Sequence, residues 1–390
     1  MRRIVGALAP DALARGPRRP GHRHRLPGGD AVRSESGRPQ PPAGRAHRAR
    51  GHRLGDRGPG AHAFPAGLPG LVKLGLGFLG GPDLRSLVEI GRAAEEAGFD
   101  SLWHAETRIT RDSVTALTAL AMETRRVRLG SAAINVYTRG AVLTAITWAA
   151  LAEAAPGRVV LGIGPGSPDP LAQQGFEFEF PVSRLREYVA SIRATWHEPV
   201  PVTLEGRHHR LSRLMPEVRP AQPVPIYLCV TGPRALDCAG QVADGVVLNA
   251  FMPASYTRRS IARLDAAAGG KYRGELAQCL VVALADDVAE AAARVRPILA
   301  TYLVYFPNLA AETGLDAEFL TRLREKASAG GLEATFADLP DSLVSQHALV
   351  GPVDECRKRL ATYRDAGLQL PILFPDPISM ERTVSELAAA

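Results

Sequence analysis

His104-Ala105-Glu106-Thr107-Arg108 sets an imidazole and a carboxyl two positions apart, directly after a short apolar run. A carboxyl can accept or donate a proton, and an imidazole can polarise a ring carbonyl. In a loop, both can equally be solvated. Further along, Ser131-Ala132-Ala133-Ile134-Asn135 ends an apolar run on two small residues, Ala132 and Ala133, against which a flat ring can lie. Asn135 adds a donor and an acceptor. Residues 159–166 read Val-Val-Leu-Gly-Ile-Gly-Pro-Gly. Backbone leaving a buried strand without Cβ atoms can approach a ligand closely, so a ligand is expected near Gly164, Gly166 and the following Ser167. This is no dinucleotide fingerprint, because no third glycine opens a helix, and no phosphate-binding lysine loop follows. Val230-Thr231-Gly232-Pro233 precedes a helix directly. Free backbone N–H groups there, with the Thr231 hydroxyl, suit a phosphate, although Thr231 acting only as a helix cap fits the same residues. Asn249 is a further polar group at a strand end. His208 and His209 have no carboxylate or cysteine at ligand spacing, and Cys229, Cys238, Cys279 and Cys356 are scattered. Solvated histidines, free thiols and no metal site are therefore expected.

These residues need a scaffold that gathers strand ends. Short apolar runs alternate with helical patterns from residue 72 onward. Strands are expected at 72–78, 101–104, 127–134, 159–163, 226–229, 246–248, 277–284 and 370–374. Helices are expected at 83–97, 113–122, 141–154, 182–196, 233–242, 254–268, 288–303 and 352–366, with a closing helix from 379. Residues 197–222 look like an excursion carrying a small hairpin, and 308–347 like a helical insertion. Eight strands in strict alternation with helices over about 320 residues fit an α/β fold, a (β/α)8 TIM barrel with insertions. In such a barrel, chemistry belongs at the C-terminal ends of the strands, where all the residues above fall.

Residues 1–70 differ from the rest. They hold 14 arginines, no lysine, 4 acidic residues, 10 prolines and 13 glycines, without apolar periodicity. Such a stretch cannot bury enough surface to offset its ordering entropy. The reading is a disordered Arg/Pro/Gly-rich extension over 1–70 and a single barrel domain over 71–390. The formal charge of +7 resides in that extension; the remainder is mildly acidic, so the average charge does not argue for nucleic acid as a partner. No apolar run approaches ~20 residues, so no membrane span is expected. Unpaired cysteines suit a cytoplasmic protein.

Taken together, these segments resemble one family. Phe99-Asp100-Ser101-Leu102-Trp103 with Glu106, and Val127 through Tyr137, resemble the second and third strands of the luciferase-like monooxygenase superfamily. Gly157 through Gly166, Pro181-Val182-Ser183-Arg184-Leu185-Arg186, Pro225-Ile226-Tyr227, Ala243 through Ala250 and Val350 through Glu355 are similar to its methylenetetrahydromethanopterin reductase-like branch. The resemblance runs from about residue 72 to the C-terminus. It implies a (β/α)8 barrel, usually a homodimer, that binds coenzyme F420 or FMN. It also implies a non-prolyl cis peptide at Ala132–Ala133 behind the cofactor ring, and the cofactor phosphate at Thr231-Gly232. Ala132, Ala133, Asn135, Gly164, Gly166, Ser167, Val230, Thr231, Gly232, Pro233 and Asn249 are then the expected cofactor-binding residues, with Glu106 and His104 catalytic.

Three positions depart from that branch. Its reductases carry a glutamate where this chain has Gly77, an aspartate at Ser167, and Asp-His at Glu106-Thr107. Two carboxylates of that site are therefore missing, which argues against methylenetetrahydromethanopterin as the substrate. The expectation is an F420-dependent oxidoreductase transferring a hydride to or from another small organic molecule. The alternatives are an FMN-dependent monooxygenase served by a separate flavin reductase, or a protein that binds flavin or deazaflavin without turnover.

Overall fold

The computed structural model describes residues 73–106 and 110–388. The extension expected over 1–70, and Thr107 and Arg108 of the loop after the second strand, lie outside the described residues. Eight parallel strands follow one another around a ring: β1 (Gly75–Leu79), β2 (Ser101–Ala105), β3 (Arg128–Ser131), β4 (Val159–Gly164), β5 (Ile226–Cys229), β6 (Gly245–Leu248), β7 (Glu275–Leu284) and β8 (Leu370–Pro375). The ring closes where β8 pairs with β1, Ile372 opposite Gly75. This is the expected TIM barrel, and all eight strands lie where the apolar runs predict them.

The helices packed outside are α1 (Leu84–Glu96), α2 (Ser113–Glu123), α3 (Ala141–Ala154), α4 (Pro181–His197), α5 (Pro233–Val242), α6 (Ala254–Ala267), α7 (Val288–Tyr305) and α8 (Val353–Asp365). Their starts follow the side chains. Asp83 accepts from the backbone N–H groups of Arg85 and Ser86 at 3.0 and 3.2 Å, and Asp112 accepts from that of Thr115 at 2.6 Å. Each satisfies donors that the first helical turn leaves free. The chain leaves α1 through Gly98 at a φ of 95°, a conformation that favours glycine.

Three details differ from expectation. The third strand does not run unbroken to Ile134: it stops at Ser131, passes through the cis peptide that the family resemblance implies at Ala132–Ala133, and resumes as Ile134–Asn135 paired with β4. A three-residue strand, Leu349–Gly351, adds to the edge of β7 and is too short to leave a period in the sequence. A short helix, Pro168–Ala172, follows β4. The excursion carries an antiparallel pair, Val202–Leu204 with Leu211–Leu214, and the insertion is helical, as expected. Among the described residues, no helix is long and apolar enough to cross a membrane.

Alternation along β1 puts Leu74, Leu76 and Phe78 into the outer core and leaves Gly75 and Gly77 facing inward. Aromatic rings from neighbouring strands take the space. Trp103 on β2 lies over Gly75 on one side and Gly130 on the other; Tyr227 lies over Gly245; Phe374 lies over Gly77. The Trp103 and Tyr227 rings stand 5.9 Å apart in the middle of the barrel.

The N-terminal end is closed by charge. Arg128 donates to Asp100 Oδ2 from Nε and to Glu275 Oε2 from Nη1, both at 2.9 Å. Lys73 Nζ reaches Glu275 Oε1 at 2.9 Å, and the Tyr227 hydroxyl donates to Glu275 Oε2 at 2.8 Å. Burial pushes the Glu275 carboxyl up, but Arg128 and Lys73 outweigh it and hold the group below its ordinary value. Removing the central cation from such a network takes the guanidinium from Asp100 and leaves Glu275 to Lys73 and the Tyr227 hydroxyl. Arg128→Ala is expected to cost about 3–5 kcal/mol of stability by equilibrium urea unfolding. A loss below about 1 kcal/mol, the size of a surface pair, would show that the network does not hold the floor together.

Candidate active site

The segments singled out in the sequence gather at one end of the barrel. β3, β4 and β5 are consecutive in the ring, so Ala132 and Ala133, Gly164, and Val230-Thr231 leave neighbouring strands at the same C-terminal rim. Asn249 leaves the next strand, β6.

Between β3 and β4 the chain's own backbone sets the glycine pattern. The Ser131 hydroxyl donates to the Gly162 carbonyl at 2.8 Å and accepts from the Gly162 N–H at 3.0 Å. A Cβ at Gly162 would strike the Ser131 carbonyl oxygen, and one at Gly164 would stand 3.0 Å from the Cys229 carbonyl oxygen. Gly166 has a φ of 68°, with the Asn135 side-chain amide where its Cβ would be. Residues on either side of the break in β3 thus stand beside Gly162 and Gly166, and β5 backbone stands beside Gly164. Asn135 Oδ1 accepts from the Tyr137 N–H at 2.8 Å. Tyr137 in turn donates to the Glu179 carbonyl at 2.7 Å, tying the loop after β3 to the loop after β4. Ser167 begins the short helix Pro168–Ala172 without a side-chain cap.

At β5 the geometry separates the two roles considered for Thr231. The N-cap of α5 is Gly232, and no side chain caps that helix. A Cβ at Gly232 would meet nothing within 4 Å, and Pro233 and Arg234 are exposed. Thr231 is 6% exposed, and its carbonyl accepts from the Tyr256 hydroxyl. An open helix N-terminus with uncommitted N–H groups suits an anion. Asn249 Oδ1 accepts from the N–H of its own neighbour, Ala250, at 2.8 Å.

The second strand behaves differently from the rest. Trp103 faces the barrel interior, so alternation turns His104 outward. Its Nδ1 lies 3.1 Å from the Ser113 hydroxyl at the start of α2, and Nε2 has no hydrogen-bond partner among the described residues. Burial lowers its pKa to about 4, so the ring is neutral. Glu106 is half-buried beside it and accepts from the Ser113 N–H at 3.3 Å. Burial raises its pKa, with the Asp112 carboxylate adding to the effect, while the Ser113 N–H and Arg139 oppose it. That is the direction an acid needs in order to carry a proton near neutral pH.

Sequence reasoning missed two features of this end. His208 and His209, expected to be solvated, are half-buried and have protein partners. His208 Nε2 lies 2.9 Å from the Ser183 hydroxyl, and Glu187 accepts from both backbone N–H groups, at 2.6 and 3.0 Å. The His209 ring meets Tyr188 edge-on at 5.3 Å, and burial lowers its pKa. The tip of the excursion is thus fastened along the first turns of α4. The second feature is the layer above Trp103 and Tyr227, where Ala132, Cys229, Cys279 and Phe374 are all partly exposed. Burial pushes both thiols up, Cys279 to about 12 and Cys229 well above its ordinary value, so the layer carries no charge.

Comparison with known proteins gives a consistent result. A family model described as luciferase-like monooxygenase matches residues 65–370. The chain is 28% identical over 305 residues to a 5,10-methylenetetrahydromethanopterin reductase of Methanolobus tindarius, covering 76% of this chain and 92% of that protein. It is 34% identical over 186 residues to an F420-dependent glucose-6-phosphate dehydrogenase of Nakamurella multipartita, covering 44% of this chain and 54% of the dehydrogenase. The solved coenzyme F420-dependent tetrahydromethanopterin reductase of Methanopyrus kandleri superposes with a TM-score of 0.72 at 22% identity, over 82% of this chain and 97% of that one.

Proposed function

This chain belongs to the luciferase-like monooxygenase family, and from that premise we propose that it is an F420-dependent oxidoreductase acting on a small organic molecule. The deazaflavin, when bound, supplies a hydride donor or acceptor at its C5 atom. The relative named as an F420-dependent glucose-6-phosphate dehydrogenase supports the cofactor. The observation that carries the reading is the sequence of three adjacent strand ends: a break lined by two alanines, a glycine exit, and an uncapped helix N-terminus opening onto free space.

The fit to a phosphorylated tricyclic cofactor follows from those parts. Ala132 and Ala133, partly exposed with single-carbon side chains, form a wall flat enough for a ring. The N–H groups at Gly232 and Arg234, with the Thr231 hydroxyl, take the phosphate. Gly164, Gly166, Ser167, Val230, Pro233 and Asn249 complete the cradle around them. Glu106 holds the proton that accompanies hydride transfer. His104, neutral and held by Ser113, acts through the position of that loop.

The chain's own surface supports a homodimer. Met122 on α2 is 69% exposed, and Leu143 and Ile146 on α3 are 51% and 38% exposed. These are exposed apolar side chains on consecutive helices that a second copy would cover. Ile146→Arg is expected to shift the wild-type dimer to monomer in light scattering; a monomeric wild type refutes the assembly.

Titration of cofactor-free protein with F420 and with FMN tests the reading. F420 binding without FMN binding is expected; the reverse favours a monooxygenase fed by a flavin reductase. With a substrate that the reduced cofactor reduces, kcat should fall as pH rises through the raised Glu106 pKa, because the acid form that donates the proton is then lost; in the oxidative direction, where the carboxylate accepts it, kcat should rise over the same range. Glu106→Gln should remove that limb and lower kcat by about 10²–10⁴-fold. An unchanged kcat at every pH would rule out proton transfer by Glu106.

A further inference from the structure

Two inward positions of β1 carry no side chain, and the space is not empty. A Cβ on Gly77 would land among the Cε1, Cε2 and Cζ atoms of Phe374. Alternation along β8 points Leu370, Ile372 and Phe374 into the barrel, Phe374 being the uppermost and partly exposed. The ring therefore stands at the mouth in the place a first-strand side chain would take. Around it the same layer presents Ala132, Cys229 and Cys279.

Resting on the reading of this mouth as an F420 site, we infer that Phe374 is its specificity-determining residue and that the part of the substrate that meets it is uncharged and apolar. Beside the alanines assigned to the cofactor ring, two neutral thiols and a phenyl ring provide a wall that an apolar ring or chain can cover without losing hydrogen bonds. A polyhydroxylated or anionic molecule pressed against the same wall would leave its hydroxyls and charge without partners. Glycine at position 77 is the condition for this arrangement: any larger residue displaces the ring. Position 374 and position 77 therefore act as one unit, although they lie nearly 300 residues apart in the sequence.

Two probes test this on the F420-loaded protein, read by the change in cofactor fluorescence: cyclohex-2-enone, an uncharged ring carbonyl, and glucose 6-phosphate, a polyhydroxylated dianion. Wild type is expected to bind the enone at least about tenfold more tightly than the sugar phosphate. Phe374→Leu should weaken enone binding about tenfold, and Gly77→Ala should do the same without altering residue 374. Both variants should keep the wild-type affinity for F420, which also reports that they fold. Enone binding unchanged in the two variants overturns the assignment. So does a wild-type preference for glucose 6-phosphate. Joint loss of enone and F420 binding overturns it as well, because Phe374 would then serve the cofactor or the fold. Failure of the cofactor reading is visible separately, as absence of F420 binding to wild type. The same two probes are then titrated against the FMN-loaded protein, or by calorimetry against the cofactor-free chain, with the same expectations.

Discussion

An eight-stranded ring leaves room for few side chains inside, and here three aromatic residues take much of it by lying over glycines on adjacent strands. Trp103 occupies the space above Gly75 and Gly130, Tyr227 that above Gly245, and Phe374 that above Gly77. Each exchange concentrates volume on one strand and removes it from its neighbour. The interior is packed in this way by rings at its middle and near its top, while the strands keep regular parallel pairing. The site inherits its shape from this arrangement: the uppermost ring and its small neighbours form the floor on which a ligand would rest.

The barrel is polarised from end to end. At the N-terminal end, Lys73, Asp100, Arg128 and Glu275 form an ionic network that the Tyr227 hydroxyl joins from above. Toward the C-terminal end the layers become aromatic and then neutral. Among the described residues, charge returns at the rim with Glu106 and Arg139, where the uncapped start of α5 also lies. Fixed charge at the base and free N–H groups at the rim separate the work of holding the strands from the work of binding.

Much of this was legible because the barrel repeats one local rule. Runs such as Leu74-Gly75-Leu76-Gly77-Phe78 alternate, and buried parallel strands between helical segments leave little choice of fold. Residues at strand ends therefore fall on one rim from the order of the elements alone. What was not legible is non-local. The Arg128–Glu275 pair joins positions 147 residues apart, and neither residue is unusual in its own segment. Gly164 and Gly166 suggest room for a ligand from sequence; what the sequence does not show is that Cys229, from the next strand, stands beside Gly164 and Asn135 beside Gly166. The break itself has no signature in residue type; it was anticipated only through resemblance to a family. His208 and His209 looked like solvated residues because their partners, Ser183, Glu187 and Tyr188, lie on the helix before them, within reach only once the excursion folds back.

The most direct test is a crystal structure of the full chain grown with F420. The expected result is the tricyclic ring against Ala132 and Ala133 and the phosphate at Thr231-Gly232, at the start of α5. Density for the cofactor at any other part of the barrel, or a phosphate held away from α5, would contradict a mouth shaped by these strand ends as the binding site.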